Sequence, residues 1–293
     1  FPQWWLAQPF RCLAHNGEIN TIRGNKNWML SHEIKMASIA FGEQSEDIKP
    51  VIPAGASDTA ALDAVFEAIC RSGRDAPTAK LMLVPEAMGD DTPEPHQAMY
   101  KYLASVMEPW DGPAALAMTD GRWAVAGVDR NALRPLRYIQ TSDGLLIVGS
   151  ETGMVQVAES NVVAKGRMGP GEMIAIDLQQ GKLFHDAEIK DQIAGEADYA
   201  AMIGDSCELS LAEISATLNK SMAQVINDLQ TMIRKGYMGP EAYIDHRRGV
   251  LVLAKQEEEV RFDSAPKEKV VSVVVEEKKQ AETAKPERPA PKP

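Results

Sequence analysis

The sequence has few cysteines and no long apolar run. Its three cysteines, Cys12, Cys70 and Cys207, lie far apart in a chain of 293 residues and form no CxxC pair. Such sparse usage argues against a disulfide framework or a zinc site and suits a reducing compartment, so we predict a cytoplasmic protein without a metal. No stretch approaches the roughly 18 consecutive apolar residues that cross a bilayer, so we expect no membrane association.

Positive charge is also scarce. The chain has 31 Lys and Arg against 42 Asp and Glu, which gives a formal net charge of −11. An acidic chain repels nucleic acid on average, so a nucleic-acid partner is not expected. Hydrophobic residues at 44% and charged residues at 25% are ordinary for a globular chain of one large or two smaller domains.

The first 190 or so residues alternate between helical and strand-like patterns. One helix is predicted near Asn27–Phe41, and residues 58–108 favour helix, with Ser57 as an N-cap before Asp58. Short apolar runs then alternate with turn pairs, as in antiparallel hairpins, so the order predicts a layered α+β domain. The runs are Ala114–Met118, Trp123–Val128, Leu145–Ser150 and Met173–Asp177, and the turn pairs are Asp120-Gly121, Asp143-Gly144 and Gln180-Gly181.

The composition changes after Ile193, and residues 198–254 have a pattern of their own. A helix-turn-helix followed by a hairpin predicts a small winged-helix-like module, for which protein contact is favoured over DNA binding. Residues 255–293 are rich in Lys, Glu, Pro and Ala and are predicted to be disordered. The predicted elements of the module are helices near Tyr199–Ile203, after Ser210 and over Met222–Lys235, then strands Ala242–Asp245 and Val250–Leu253.

One short segment, Ala14–Asn20, contains candidate catalytic residues. Asn16-Gly17 is a turn pair, and its simplest interpretation is a hairpin turn. Alternatively, the Asn16 amide and the Gly17 backbone N–H are two donors that point one way. Two such donors are what the oxyanion of a tetrahedral acyl-transfer intermediate requires. These residues alone leave both interpretations open.

Several longer strings carry a specific resemblance. The string QPFRCLAHNGEINTIRGNKNWM is followed, in order, by PEAMG, MEPWDGPAA, TDGRWAVAGVDRNALRPLRY, SETG and KGRMGPGEMIAIDLQQGKL. From residue 1 to about residue 192 they resemble the glutaminase (class II glutamine amidotransferase) domain of the glutamate synthase large subunit. The resemblance implies an N-terminal-nucleophile hydrolase fold, an αββα sandwich of two antiparallel sheets between helices.

In that family an N-terminal cysteine attacks the side-chain amide of glutamine, with its own α-amino group as base. Ammonia then passes to a second site that aminates 2-oxoglutarate. Asn16 and Gly17 match the family's oxyanion hole, and Asp58 matches the acid that holds the α-amino group of glutamine. On its own, Asp58 would be interpreted as a helix N-terminal charge. We expect His15 to shape the loop at the substrate site rather than to transfer protons.

The resemblance also places the family's nucleophile and a glutamine-binding arginine upstream of Phe1. Cys12 lacks a free α-amino group, Cys70 has the pattern of a core residue, and Cys207 lies outside the resembling region. We therefore predict that this chain alone, truncated at its N-terminus, does not hydrolyse glutamine. Missing early strands would leave exposed sheet edges and a poorly stable fragment.

Other charged motifs have plainer interpretations. The arginine-rich segment Asp129–Arg137 could bind phosphate, but the family places it at a sheet edge, which favours structural ion pairs. Glu108, Trp110 and Asp111 are expected to be packing and turn residues.

No cofactor is predicted in this segment, whereas full-length members of the family use FMN, an iron–sulfur cluster and NADPH or ferredoxin. The expected partners are glutamine and the remaining domains of the large subunit, with a small subunit as a further candidate. The family does not continue into a winged-helix-like module, so a true fusion, a frameshifted gene and an assembly artefact stay open. The alternative function is a non-catalytic binding or regulatory protein that uses a remnant glutaminase fold and a partner-binding winged helix.

Overall fold

The computed structural model describes residues 4–36, 41–204, 206–234, 237–239 and 241–253. Within them the chain forms seven α-helices, eleven β-strands and three short 3-10 segments. The helices are α1 Ile22–Lys35, α2 Asp58–Arg71, α3 Ala76–Leu83, α4 Glu94–Val106, α5 Asp186–Ile203, α6 Leu211–Thr217 and α7 Met222–Arg234. The strands are β1 Leu13–Gly17, β2 Ala114–Thr119, β3 Trp123–Val128, β4 Arg137–Thr141, β5 Leu146–Gly149, β6 Val162–Arg167, β7 Met173–Asp177, β8 Lys182–His185, β9 Glu208–Ser210, β10 Tyr243–Asp245 and β11 Val250–Val252.

A five-stranded antiparallel sheet organises the first part of the chain. Its order is β1-β2-β3-β7-β8, so β1 lies at an edge. One face carries the main hydrophobic core, to which α2, α3 and α4 contribute Phe66, Leu81 and Leu103. Side chains alternate across a strand, so Val125 of β3 points into this core while Ala126 points to the opposite face.

The opposite face packs on a second, three-stranded sheet with the order β5-β4-β6. Ala126 and Ile174 of the first sheet share a smaller core with Tyr138 and Val148 of the second. Helices on one face of a sheet and another sheet on its other face give the mixed helix and sheet architecture predicted from the sequence.

The C-terminal elements form a separate small core. Strands β9, β10 and β11 pair antiparallel in the order β10-β11-β9, and α6 and α7 bury Ile214 and Leu229 beside them. Tyr199, near the end of α5, belongs to this core, whereas Ile193 of the same helix belongs to the main core. Helix α5 therefore joins two cores without a break.

Most predicted elements are observed with small shifts. Ser57 caps α2, because its Oγ accepts a hydrogen bond from the Ala60 N–H at 3.1 Å. Three predicted turn glycines, Gly121, Gly144 and Gly181, have positive φ values of +93°, +86° and +63°. They lie between β2 and β3, between β4 and β5, and between β7 and β8, where the hairpins were predicted.

Three boundaries differ from prediction. The helix predicted near Asn27–Phe41 begins earlier, at Ile22, and ends at Lys35 because Met36 is extended. Residues 58–108 form three helices rather than a continuous helical region, and the prolines at 85 and 93 bound the non-helical stretch between α3 and α4. The helix predicted near Tyr199–Ile203 is the end of α5, so the composition change after residue 193 is not a break in structure. Residue 235 and the predicted tail at 255–293 lie outside the described residues.

Candidate active site

The Asn16-Gly17 pair lies at the end of the edge strand β1. Strand β1 pairs with β2, and Asn16 and Gly17 stand opposite Ala115 and Ala114 in the ladder. They are thus the last two residues of a strand whose partner comes much later in the chain. The hairpin-turn interpretation of this pair is therefore wrong.

Gly17 occupies a position where two backbones approach closely. Its φ is +153°, and a Cβ there would lie 1.7 Å from the carbonyl oxygen of Pro113. Gly112 is its counterpart, since its φ is +154° and a Cβ there would lie 2.0 Å from the carbonyl oxygen of Glu18. The two glycines let the end of β1 and the chain before β2 pack backbone against backbone.

The ladder between β1 and β2 sets the direction of the Gly17 N–H. Hydrogen bonds run from Thr119 N to Cys12 O at 2.8 Å and from Glu18 N to Pro113 O at 2.9 Å. Hydrogen-bonded and non-hydrogen-bonded pairs alternate in an antiparallel ladder, which puts Gly17 in a non-hydrogen-bonded pair. Its N–H therefore points away from β2, towards the free edge of the sheet.

The neighbouring residues agree with this direction. The His15 N–H lies two positions earlier and points the same way, and it donates to Gln8 Oε1 at 2.7 Å. The Asn16 side chain, which follows it in the strand, is exposed. The Gly17 N–H thus points away from β2, and the side chain of the preceding residue, Asn16, is exposed.

Asp58 lies beside the loop that follows Gly17. It is the first residue of α2, and its Oδ2 accepts a hydrogen bond from the Ile19 N–H at 3.0 Å. Its Oδ1 accepts from the Thr59 N–H at 2.8 Å. The half-buried carboxylate keeps further lone pairs, so it can still accept hydrogen bonds from an ammonium group.

His15 is buried beneath this loop. Its Nδ1 is 3.0 Å from Thr59 Oγ1, and its Nε2 has no hydrogen-bond partner among the described residues. Burial lowers the pKa of His15, although the Asp58 carboxylate opposes this effect, so the ring is neutral at neutral pH. This geometry agrees with a loop-shaping role, which stays a prediction.

The cysteines do not have the surroundings of an activated thiol. Cys12 is buried next to Asp63, whose Oδ1 accepts a hydrogen bond from the Cys12 N–H at 2.8 Å, and burial raises its thiol pKa to about 11. Burial also raises the pKa of Cys70 in α2. A nucleophilic thiol requires a lowered pKa. Cys207 is exposed and lies just before β9, among the C-terminal elements.

Sequence reasoning missed how residues 108–113, hereafter the strap, hold the loop after Gly17. The Asp111 carbonyl accepts hydrogen bonds from Asn20 N at 2.7 Å and from Thr21 N at 3.2 Å. Trp110 is buried, as predicted for a packing residue, and its N–H donates to Leu83 O at 2.6 Å. No sequence pattern pairs these segments, because they are far apart in the chain.

Two arginines of the segment Asp129–Arg137 form ion pairs, as the structural interpretation of that segment predicted, whereas the contact of Glu108 was not predicted. Arg130 contacts Asp111 at 2.6 Å, and Arg137 lies 3.9 Å from Glu151. Glu108, at the start of the strap, pairs with His32 of α1 at 2.7 Å.

Two buried lysines, Lys80 of α3 and Lys190 of α5, make ionic and polar contacts. Lys190 contacts Glu86 and Asp186, each at 2.6 Å, and the fully buried Lys80 donates to the Gly171 carbonyl at 3.1 Å. Burial, assisted by the positive charge of Lys190, lowers the pKa of Lys80 to about 8. The sequence patterns gave no sign of these contacts.

Within the described ranges, no helix is long and apolar enough to cross a membrane. The same residues contain no group of three or more His, Cys, Asp or Glu side chains that could hold a metal ion.

The family model described as glutamine amidotransferases class-II matches residues 1–202. The chain belongs to this family, and the site described above lies within the matched region. A solved structure of a glutamine aminotransferase class-II domain protein from Silicibacter pomeroyi gives a TM-score of 0.32 at 14% identity, covering 59% of this chain and 65% of that one. A likeness at this score supports no argument.

Within this family, the chain is similar to glutamate synthases. The chain is 62% identical over 196 residues to the NADPH glutamate synthase large chain of Azospirillum brasilense, covering 66% of this chain and 13% of that protein. It is 41% identical over 249 residues to the NADH glutamate synthase of Schizosaccharomyces pombe, covering 81% and 12%. It is also 41% identical over 233 residues to the NADPH glutamate synthase large chain of Bacillus subtilis, covering 79% and 15%. The chain thus spans only a small part of the length of these relatives.

Proposed function

We propose that the chain is the glutaminase part of a glutamate synthase, which hydrolyses glutamine to glutamate and ammonia for the reductive amination of 2-oxoglutarate. The observation that carries the proposal is that Asn16 and Gly17 end the edge strand β1 and that Asp58 accepts a hydrogen bond from the Ile19 N–H at 3.0 Å in the loop directly after them, in a chain of the class II glutamine amidotransferase family. The relatives described above support it, since they are NADPH and NADH glutamate synthases.

Each residue receives one role in this proposal. The Asn16 amide and the Gly17 N–H stabilise the oxyanion that forms when the glutamine side-chain amide is attacked. Asp58 binds the α-ammonium group by a charge-assisted hydrogen bond. His15 keeps Thr59, and through it the start of α2, in place. FMN, the iron–sulfur cluster and the nicotinamide or ferredoxin donor would act in other parts of the full-length enzyme.

We also propose that none of Cys12, Cys70 and Cys207 is the nucleophile, so this chain alone does not turn over glutamine. The raised pKa values of Cys12 and Cys70 support this, because the thiolate is the attacking form. The test measures ammonia and glutamate release from glutamine, and it adds a cysteine-reactive glutamine analogue followed by mass spectrometry. Turnover together with one labelled cysteine would overturn this part of the proposal.

Binding can be tested without turnover. L-Glutamine is titrated calorimetrically into the wild-type chain, Asp58→Asn and the control Glu94→Gln, which removes another helix N-terminal acid at the exposed start of α4. Asp58→Asn should raise the Kd at least tenfold, while Glu94→Gln leaves it unchanged.

A glutamine analogue tests whether Asp58 contacts the α-amino group of the ligand. 4-Carbamoylbutanoate is glutamine without its α-amino group, so it should bind the wild type more weakly than glutamine does. It should bind wild type and Asp58→Asn equally. If Asp58→Asn binds L-glutamine as the wild type does, Asp58 is a structural helix N-terminal charge, and its proposed role is wrong.

We further propose that residues 198–254 are a winged-helix-like module that contacts protein rather than DNA. Support comes from the order of the elements, in which the end of α5, α6 and α7 precede the β10–β11 pair. Exposed Arg247 and Arg248 lie in the connection between β10 and β11, but Arg248 is paired with Glu208 at 2.6 Å, which lowers the charge available to a phosphate. Binding of the chain to duplex DNA with a steep salt dependence would contradict this proposal.

A further inference from the structure

Thr21 and Asp111 hold each other by reciprocal hydrogen bonds. The Thr21 N–H donates to the Asp111 carbonyl at 3.2 Å, and the Asp111 N–H donates to Thr21 Oγ1 at 2.9 Å. The Thr21 hydroxyl in turn donates to Asn25 Oδ1 at 2.6 Å, and Asn25 Nδ2 donates to the Pro109 carbonyl at 3.1 Å. The Thr21 side chain therefore contacts the strap at Asp111, and the Asn25 side chain, to which Thr21 is bonded, contacts it at Pro109.

The strap contacts the main core through Trp110 and contacts Gly17 through Pro113. Its buried Trp110 donates to the last residue of α3, Leu83, at 2.6 Å, so the strap is tied to the main core. Its far end places the Pro113 carbonyl against Gly17, at the position that a Cβ would occupy. The Pro113 carbonyl also accepts a hydrogen bond from the Glu18 N–H at 2.9 Å, so the strap and the end of β1 are in direct backbone contact.

We propose that Thr21 is a positioning residue that, by holding the strap, keeps the Gly17 N–H firmly in the direction that the β1–β2 ladder gives it. The use of the Gly17 N–H in acyl transfer rests on the proposed glutaminase function. Thr21 itself does not touch the reacting atoms. The coupling between Thr21, the strap and Gly17 depends on hydrogen bonds and close contacts alone, so it can be tested without substrate.

The chain offers a site-specific probe for Gly17. Asn16-Gly17 is its single Asn-Gly dipeptide, so a chain with ¹³C-carbonyl asparagine and ¹⁵N-glycine gives one amide signal in a carbonyl–nitrogen correlation spectrum. The order parameter of that signal reports how firmly the Gly17 N–H is held. A rigid backbone gives about 0.85 and a flexible one less than about 0.6.

Three variants separate the hydroxyl of Thr21 from general packing. Thr21→Val keeps the shape but removes the hydrogen bonds of the hydroxyl to Asp111 and Asn25, whereas Thr21→Ser keeps them. Thr231→Val is the matched control, because among the described residues the Thr231 hydroxyl bonds only within its own helix α7, donating to the Asn227 carbonyl and accepting from Arg234. Near-ultraviolet circular dichroism verifies that each variant keeps its tertiary packing.

The expected result is an order parameter near the rigid value in wild type, Thr21→Ser and Thr231→Val, and a loss to the flexible range in Thr21→Val. L-Glutamine should shift the Gly17 signal, and Thr21→Val should raise its Kd about tenfold. An unchanged signal and order parameter in folded Thr21→Val would overturn the positioning role. If glutamine leaves the wild-type signal unmoved while Thr21→Val still loosens it, the proposed binding of glutamine by this chain fails and the coupling between Thr21 and Gly17 still holds.

Discussion

Replacing Gly17 with alanine should destabilise the fold through two separable effects. A φ of +153° is a conformation that an L-residue rarely adopts, which costs about 1–3 kcal/mol. The new Cβ would also lie 1.7 Å from the Pro113 carbonyl oxygen, so one backbone must shift, at a further cost of about 1–3 kcal/mol. The free energy of unfolding should thus fall by about 2–6 kcal/mol, a large share of the roughly 5–15 kcal/mol of an ordinary domain.

Two other glycines isolate these effects. Gly73 has a φ of +110° but open space around it, so Gly73→Ala should show only the conformational cost of about 1–3 kcal/mol. Gly24 lies in α1 with open space, and Gly24→Ala should stabilise the protein by about 0.5–1 kcal/mol.

Urea unfolding followed by tryptophan fluorescence gives all three values, provided that the slopes agree. The order of stability should be Gly24→Ala, then wild type, then Gly73→Ala, with Gly17→Ala the least stable. If Gly17→Ala were no less stable than Gly73→Ala, the close backbone approach at Pro113 would not exist in solution and the argument for the strap would lose its basis.

Three further predictions follow from burial and charge. Leu229→Ala removes a fully buried side chain from the C-terminal core and should cost about 2–5 kcal/mol, so the urea midpoint of far-ultraviolet circular dichroism should fall, and an unchanged midpoint would contradict the burial of Leu229. A thiol reagent should label Cys207 quickly in the folded chain and Cys12 and Cys70 only after unfolding, and fast labelling of Cys12 would contradict its burial. Lys80 has a pKa of about 8 when folded and 10.5 ordinarily, so the unfolded state binds more protons between these values and the free energy of unfolding rises with pH there. Lys80→Met should remove that rise, and parallel pH profiles of wild type and variant from pH 7.5 to 10.5 would show the prediction to be wrong.

The predictable part of the fold lies where local patterns have a strong physical cause. Alternating apolar runs with Asp-Gly or Gln-Gly turns located β2, β3, β5 and β7, because only a few residues tolerate the positive φ of such turns. Strands such as β6 escaped prediction because their residues alternate between partly buried and exposed and include few apolar runs. The start of α1 escaped as well, since Asn25 and its neighbours are weak helix formers that long-range hydrogen bonds stabilise.

The candidate site divides in the same way. Asn16, Gly17 and Asp58 could be named in advance only because long strings resemble a known family; the residues alone favoured a turn and a helix charge. Their proximity depends on the hydrogen bond between Asp58 and Ile19, which joins residues 39 positions apart. Asp63, which accepts hydrogen bonds from the Cys12 and Leu13 N–H groups at 2.8 and 3.0 Å, gave no local signal either.

Because helix α5 is continuous, its twist sets the rotation of the C-terminal core relative to the main core. Each residue of an α-helix turns about 100° and advances about 1.5 Å. One residue inserted between Ala194 and Tyr199 would therefore rotate the C-terminal core by more than a quarter turn, whereas seven would restore its azimuth to within about 20° and displace it by about 10 Å. The 18-residue length of α5 thus sets the rotation of the C-terminal core relative to the main core. Insertions of different lengths could rotate the C-terminal surface in steps relative to the main core.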